Sequence, residues 1–170
     1  MPHTDRPMPP LKADERATLE GWLDFYRVTL AAKCDGLDEQ QLRTASVPPS
    51  PLTLLGLVQH MAEVERNWFR RVLVGDEVPA LYESKGNGEG HDGGFDLHDD
   101  VTFNVAETNW QREIAEARKN CADRGLGQTS PFMGGEVTLR WIYTHMISEY
   151  ARHNGHADLI REGIDGSTGV

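Results

Sequence analysis

Four stretches of the chain place apolar residues at the three- and four-residue spacing of an amphipathic α-helix. They span residues 13–34, 53–74, about 101–121 and 138–164. No stretch shows the sustained alternation of apolar and polar residues that a half-buried strand requires. The pattern therefore predicts an all-α protein, a four-helix bundle with long connections between its helices.

Local signals mark the ends of these predicted helices. Gly36 and Gly75 follow the first and the second helix, at the position where a glycine commonly ends a helix. Thr53 is a suitable N-cap for the second helix. Gly155 differs because it lies inside the fourth helix, where glycine costs about 1 kcal/mol relative to alanine. We expect a close-packed neighbour or a ligand to need the space beside it.

The connections carry predictions of their own. The segment Pro48-Pro-Ser-Pro51 forbids helix propagation and makes a stiff connector. The connection 76–100 is long and rich in glycine, which is typical of a lid, a binding loop or a disordered segment. We expect its part over residues 84–100 to be mobile and to border the entrance to the site. Residues 127–136, which contain a proline and a glycine pair, are predicted to form a loop.

Length and charge limit the class of protein. A chain of 170 residues suits one domain, and we expect an extended arm over residues 1–12, the helical domain over 13–166 and a tail over 167–170. Twenty-seven acidic residues against seventeen basic ones give a formal charge of −10, without a dense run of lysine and arginine. This balance argues against nucleic acid or an anionic membrane as a partner.

The two cysteines and the apolar content indicate a compartment. Cys34 and Cys121 lie in predicted helices without Cys-x-x-Cys spacing, so we interpret them as reduced residues in or near the core. No apolar run approaches the roughly 20 residues of a membrane span, and the proline-rich N-terminus does not have the pattern of a signal peptide. The expected location is the cytoplasm.

The fourth helix carries the densest group of chemically versatile side chains. At about 100° per residue, His145, Glu149, His153 and His156 fall within an arc of roughly 80° on one face. The apolar stripe of the same helix is centred close to His153, which should therefore point into the core. Glu149, one turn earlier, is placed to share a metal ion with His153. The alternative is a core histidine satisfied by hydrogen bonds beside a surface glutamate.

Three other histidines require separate interpretations. Metal sites in helical bundles are built from facing helices, so a third ligand should come from another helix. His60 is the one histidine within the first three predicted helices, at the edge of the second helix's apolar stripe. An isolated helical histidine is more often structural or solvent-facing. His91 and His98 lie in the glycine-rich connection, where solvated side chains are the usual case, and we assign them no role.

Two motifs resemble a known family. The second helix reads Leu57-Val-Gln-His60-Met-Ala-Glu-Val-Glu-Arg-Asn-Trp68, and the fourth reads Glu149-Tyr-Ala-Arg-His153-Asn-Gly-His156-Ala-Asp158. Together they resemble the DinB/YfiT-like metalloprotein superfamily, in its mycothiol transferase branch, which is related to mycothiol-dependent maleylpyruvate isomerase. The resemblance covers about residues 13–166. The motif of the fourth helix is the more specific of the two.

The resemblance implies a ligand set and a chemistry. Many members of the superfamily bind their metal through one histidine of the second helix and a His-x-x-x-His pair of the fourth, and here Glu149 stands in the first place of that pair. The implied ligands are His60, Glu149 and His153, most suitably for zinc, although nickel, manganese or iron also accepts two imidazoles and a carboxylate. The metal would activate a low-molecular-weight thiol, mycothiol by resemblance, for reaction with a small electrophile.

His145 and His156 are the candidates for pocket or catalytic residues beside these ligands, and homodimers are common among the proteins that the chain resembles. Three functional classes stay open at the level of sequence. The first is a metal-dependent thiol S-transferase or isomerase. The second is a metal-binding sensor or binding protein without turnover. The third is a bundle whose polar cluster only fixes the packing of its helices. Within the enzyme class, a metal-dependent hydrolase is the alternative to a thiol S-transferase.

Overall fold

A computed structural model of the protein describes residues 6–82 and 93–169. The chain there is predominantly helical, which confirms the predicted all-α class of a DinB-like bundle. The helices and strands of the described ranges are α1 (Glu15–Cys34), α2 (Glu39–Leu42), α3 (Leu54–Arg66), a π-helical segment (Asn67–Val72), α4 (Phe103–Cys121), β1 (Thr129–Phe132), β2 (Gly135–Thr138) and α5 (Leu139–Asp165).

The chain forms two compact units. The first unit comprises Met1–Leu54 and Tyr143–Val170, and the second comprises Leu55–Ile142. The first unit therefore holds α1, α2 and most of α5. The second holds most of α3, the π-helical segment, α4 and the two strands.

In the first unit, polar contacts define both ends of α1. The side chain of Asp14 accepts a hydrogen bond from the backbone N–H of Ala17 at 2.8 Å, which caps the start of the helix. At the other end, the Arg161 guanidinium of α5 donates to the carbonyl oxygens of Lys33 and Asp35 at 3.0 and 2.8 Å. The last turn of a helix leaves carbonyl oxygens that bind groups outside it, so Arg161 binds the C-terminal end of α1 and joins α5 to it. Buried apolar residues of this unit include Leu23, Leu30, Leu42, Met146, Tyr150, Ala157 and Ile160.

In the second unit, the predicted helix over 53–74 is not a uniform α-helix. It runs as α3 up to Arg66 and then widens into π turns over Asn67–Val72. Gly75 ends this stretch with a φ of +77°, as the sequence predicted. Trp68 of the π-helical segment packs against the rings of Phe132 and Trp141, each with a centroid separation of 5.2 Å.

The prediction of a loop over residues 127–136 is wrong. Strands β1 and β2 form an antiparallel hairpin in which Thr129 pairs with Thr138 and Phe132 with Gly135. Met133 and Gly134 turn the chain with φ values of +48° and +78°, and two positive φ values match the twist of a tight hairpin. Four-residue strands are too short to show a clear alternation, so the hydrophobic pattern did not indicate them.

A buried ion network joins α3 to α4 within the second unit. The Arg66 guanidinium lies 2.9 Å from a Glu113 carboxylate oxygen, and the side chain of Glu113 is 0% exposed. Arg66 also donates to the carbonyl oxygen of Pro79 at 2.7 Å. Arg70 approaches the second oxygen of the same carboxylate at 3.5 Å. The negative charge of Glu113 is thus surrounded by cationic donors, as a buried carboxylate requires.

Candidate functional site

Helix α5 brings together the side chains that the sequence placed on one face. The His153 Nε2 atom lies 3.5 Å from one carboxylate oxygen of Glu149, and the His145 Nε2 atom lies 3.8 Å from the other. Both separations follow from the four-residue spacing, which places side chains one turn apart on a helix. His153 is buried, as its position in the apolar stripe predicted, and Glu149 is half-buried.

His156 lies on the other side of the His153 ring. Their Nδ1 atoms are 3.3 Å apart, and the two rings meet edge to face with centroids separated by 5.3 Å. A hydrogen bond between two imidazole nitrogens requires one donor and one acceptor, so this contact couples the tautomers of the two rings. The Nε2 atom of His153 consequently faces Glu149 while its Nδ1 atom faces His156.

The surroundings of His145 favour its neutral form. Burial lowers the pKa of His145 from its ordinary value of 6.5, and the Glu149 carboxylate raises it by a smaller amount. The Arg152 guanidinium acts in the same direction as burial, since a nearby cation disfavours a second positive charge. The nitrogens of a neutral imidazole include one donor and one acceptor, which suits a polar pocket residue.

His60 is located in the second unit, on α3, where it is half-buried. Its Nδ1 atom lies 2.7 Å from the carbonyl oxygen of Gly93. The ring of Phe95 stacks on the imidazole, with a centroid separation of 4.0 Å and an interplanar angle of 14°. A carbonyl oxygen only accepts hydrogen bonds, so Nδ1 of His60 carries the proton in this contact. In the neutral ring the lone pair is therefore on Nε2.

The sequence did not indicate the contacts of His60 with Gly93 and Phe95. Residues 93–96 are held along α3, where the Gln59 side chain donates to the carbonyl oxygen of Asp96 at 3.3 Å. The Gly93-Gly94 pair was the one signal in the sequence for a turn at this point. In the structure the two glycines adopt positive φ values of 67° and 88°. Two neighbouring glycines of this kind indicate a defined backbone turn as readily as a flexible segment.

The predicted mobile connection over 84–100 is covered only in part. Its residues 84–92, with His91, lie outside the described residues, whereas residues 93–100 are described. His98 is half-buried there, which differs from the solvated side chain that is usual for a histidine in a glycine-rich connection. The segment around it docks on α3 through the contacts of residues 93–96.

Cys34 and Cys121 are buried and form no disulfide bond among the described residues, as predicted. An ideal Cβ on Gly155 meets no atom within 4 Å among the described residues, so the close-packed neighbour is not found. The alternative expectation, a ligand beside Gly155, stays a prediction. Over residues 6–82 and 93–169, every helix is too short or too polar to cross a membrane.

The fold and the side chains of α5 place the protein among all-α proteins with a paired glutamate and histidine. Such a pair offers donor atoms that suit a divalent metal. The family model described as mycothiol-S-transferase matches residues 18–166. Because the match covers most of the chain, the protein belongs to the mycothiol-S-transferase family. A search of curated proteins gave no match.

Proposed function

We propose that the protein is a metal-dependent S-transferase that joins mycothiol, or a similar low-molecular-weight thiol, to a small electrophile in the cytoplasm. Membership of the mycothiol-S-transferase family supports the transfer of a thiol. The contact between Glu149 and His153 is the observation that supports metal dependence, because it places a carboxylate oxygen and an imidazole nitrogen 3.5 Å apart. Two such atoms can bind the same ion with little movement.

The proposed ligands are His60, Glu149 and His153. His60 and His153 each offer an imidazole nitrogen and Glu149 offers a carboxylate oxygen, and this set of donor atoms supports the proposal. Two imidazole nitrogens and one carboxylate oxygen fit zinc best and leave a coordination position open, although nickel, manganese and iron accept the same donors. When bound there, a divalent ion lowers the pKa of a thiol that reaches it.

The remaining residues of the α5 face orient the ligands and line the pocket. His156 contacts Nδ1 of His153, which leaves Nε2 of His153 directed toward Glu149. Partners of this kind set the tautomer of a metal-binding histidine and raise its basicity. His145 lies beside the other Glu149 oxygen, so we assign it to the pocket wall rather than to the ligand set.

The test is a thiol-transfer assay with mycothiol and monobromobimane as the electrophile. In the reaction a sulfur–carbon bond forms, the carbon–bromine bond breaks, bromide leaves and the thiol proton passes to solvent. Zinc-loaded protein, chelator-treated protein and reloaded protein should be compared at neutral pH, where a free thiol is only a few per cent ionised. We expect the protein-dependent rate to vanish on chelation and to return on reloading.

The other functional classes give different results in the same assay. A sensor or binding protein would bind the metal and leave the thiol unconsumed. A hydrolase would consume a suitable ester or amide while mycothiol stayed untouched. Equal transfer rates for loaded and chelated protein would remove the metal from the reaction and contradict the proposal.

A further inference from the structure

We propose that Gly93 and Phe95 are positioning residues, which hold the His60 ring in the tautomer and orientation that metal binding requires. The inference rests on the proposed function, since it concerns one of the proposed ligands. Gly93 and Phe95 stand at the described end of the glycine-rich connection. Gly93 contacts the Nδ1 atom of His60, and Phe95 stacks on the face of the His60 ring.

A hydrogen bond to Gly93 sets the tautomer of His60. The 2.7 Å contact to the Gly93 carbonyl oxygen holds the proton of His60 on Nδ1. A neutral imidazole has one proton, so Nε2 is the nitrogen that can donate a lone pair to an ion. Metal-binding histidines commonly use this arrangement, with the second ring nitrogen donating to a carbonyl or a carboxylate.

The short distance between residue 93 and the His60 ring requires a glycine at position 93. Gly93 has a φ of +67°, and an ideal Cβ there would lie 2.7 Å from Nδ1 of His60 and 3.1 Å from Cε1. A side chain would therefore displace either the carbonyl group or the imidazole. Glycine allows the backbone to approach the ring closely enough for the hydrogen bond.

The ring of Phe95 fixes the orientation of the His60 ring. Phe95 covers one face of the His60 ring at 4.0 Å, nearly parallel to it, which restricts rotation of the imidazole. The backbone around Phe95 is itself held, because Gln59 donates to the carbonyl oxygen of Asp96. An ideal Cβ on Gly94 would lie 3.3 Å from the backbone oxygen of Gln59, so this turn packs directly on α3.

The tautomer can be observed without any metal. A long-range proton–nitrogen correlation spectrum of metal-free, nitrogen-15-labelled protein distinguishes a protonated ring nitrogen from an unprotonated one, and a His60→Gln variant assigns the signals. We expect wild-type His60 to carry its proton on Nδ1. In the Gly93→Ala variant we expect the Nδ1-protonated tautomer of His60 to be no longer the main one. A wild-type ring protonated on Nε2 would overturn the proposal.

Zinc affinity provides the second measurement, by competition with a chromophoric chelator. We expect Gly93→Ala to bind zinc about 10- to 100-fold more weakly than wild type, which is the usual effect of removing the partner of a metal-binding histidine. Gly75→Ala is the matched control, since Gly75 has a φ of +77° but a Cβ there meets no atom within 4 Å among the described residues. It carries the same backbone strain without the contact to His60. Equal zinc affinities of the two variants would overturn the proposal.

Phe95→Leu decides the question if Gly93→Ala does not fold. It keeps the backbone and the hydrogen bond, so the Nδ1 tautomer should persist while zinc binding weakens by a smaller factor. Unchanged zinc affinity in this variant would contradict the role of Phe95. If the proposed function is wrong, wild-type protein will bind no zinc. The tautomer of His60 in metal-free protein tests the role of Gly93 independently of that result.

Discussion

Replacement of His153 by alanine should abolish stoichiometric metal binding and, with it, thiol transfer. The substitution removes a buried imidazole whose Nε2 faces Glu149 at 3.5 Å, and so deletes one of three proposed ligands. We expect the loss in zinc affinity to exceed the roughly 100-fold that marks the upper range for partners of a ligand. Metal content after dialysis, measured by mass spectrometry, and a zinc competition titration provide the test.

His156→Ala is the matched control for this substitution. It removes a histidine from the same face of α5 that contacts His153 through Nδ1 but has no proposed bond to the ion. We expect its zinc affinity to fall by about 10- to 100-fold, with metal still bound at saturating zinc. If His156→Ala lost metal as completely as His153→Ala, His156 would be a direct ligand and the proposed set would be wrong.

Replacement of Glu113 by alanine should destabilise the protein by about 3–5 kcal/mol, as is typical when one partner of a buried ion pair is removed. The reason is that Arg66, itself buried, loses the carboxylate that compensates its charge. The side chain of Glu113 is 0% exposed, so the carboxylate that Arg66 loses lies away from bulk solvent. Urea denaturation followed by circular dichroism measures the change in the free energy of unfolding.

Two comparisons separate this effect from a general sensitivity of α4. Glu116→Ala breaks an exposed pair with Lys119 on the same helix, and surface pairs contribute only about 0–1 kcal/mol. The double variant Arg66→Met with Glu113→Leu should recover most of the lost stability, because apolar residues can replace a buried pair. A loss of stability in the double variant equal to that in Glu113→Ala would show that burial of an unpaired cation is not the cause.

The parts of the structure that depend on local pattern were predictable. The apolar stripes and the glycines at positions 36 and 75 indicated the main helices and their ends, because side-chain periodicity and positive φ are local properties. The same periodicity placed Glu149 and His153 on one face and directed His153 into the protein interior. The structure confirms both the contact within α5 and the burial of His153.

The parts that depend on contacts between distant segments were not predictable in the same way. The turn of residues 93–96 on His60 pairs positions about 33 residues apart, and periodicity contains no information on such pairs. The hairpin of β1 and β2 is stabilised in part by Ser130, whose hydroxyl donates to the carbonyl oxygen of Leu73 at 2.7 Å. The turn residues around Ser130 indicated a loop. The hydrogen bond to Leu73 could not be predicted from local pattern, because the two residues are 57 positions apart.

X-ray absorption spectroscopy of the zinc-loaded protein tests the proposed metal centre most directly. We expect nitrogen and oxygen donors at about 2.0–2.2 Å from the zinc, with the outer scattering of two imidazoles. In a His60→Ala variant loaded at high zinc, one of the two imidazole contributions should disappear. A sulfur donor at about 2.3 Å, or an imidazole count unchanged by the removal of His60, would contradict the ligand set of His60, Glu149 and His153.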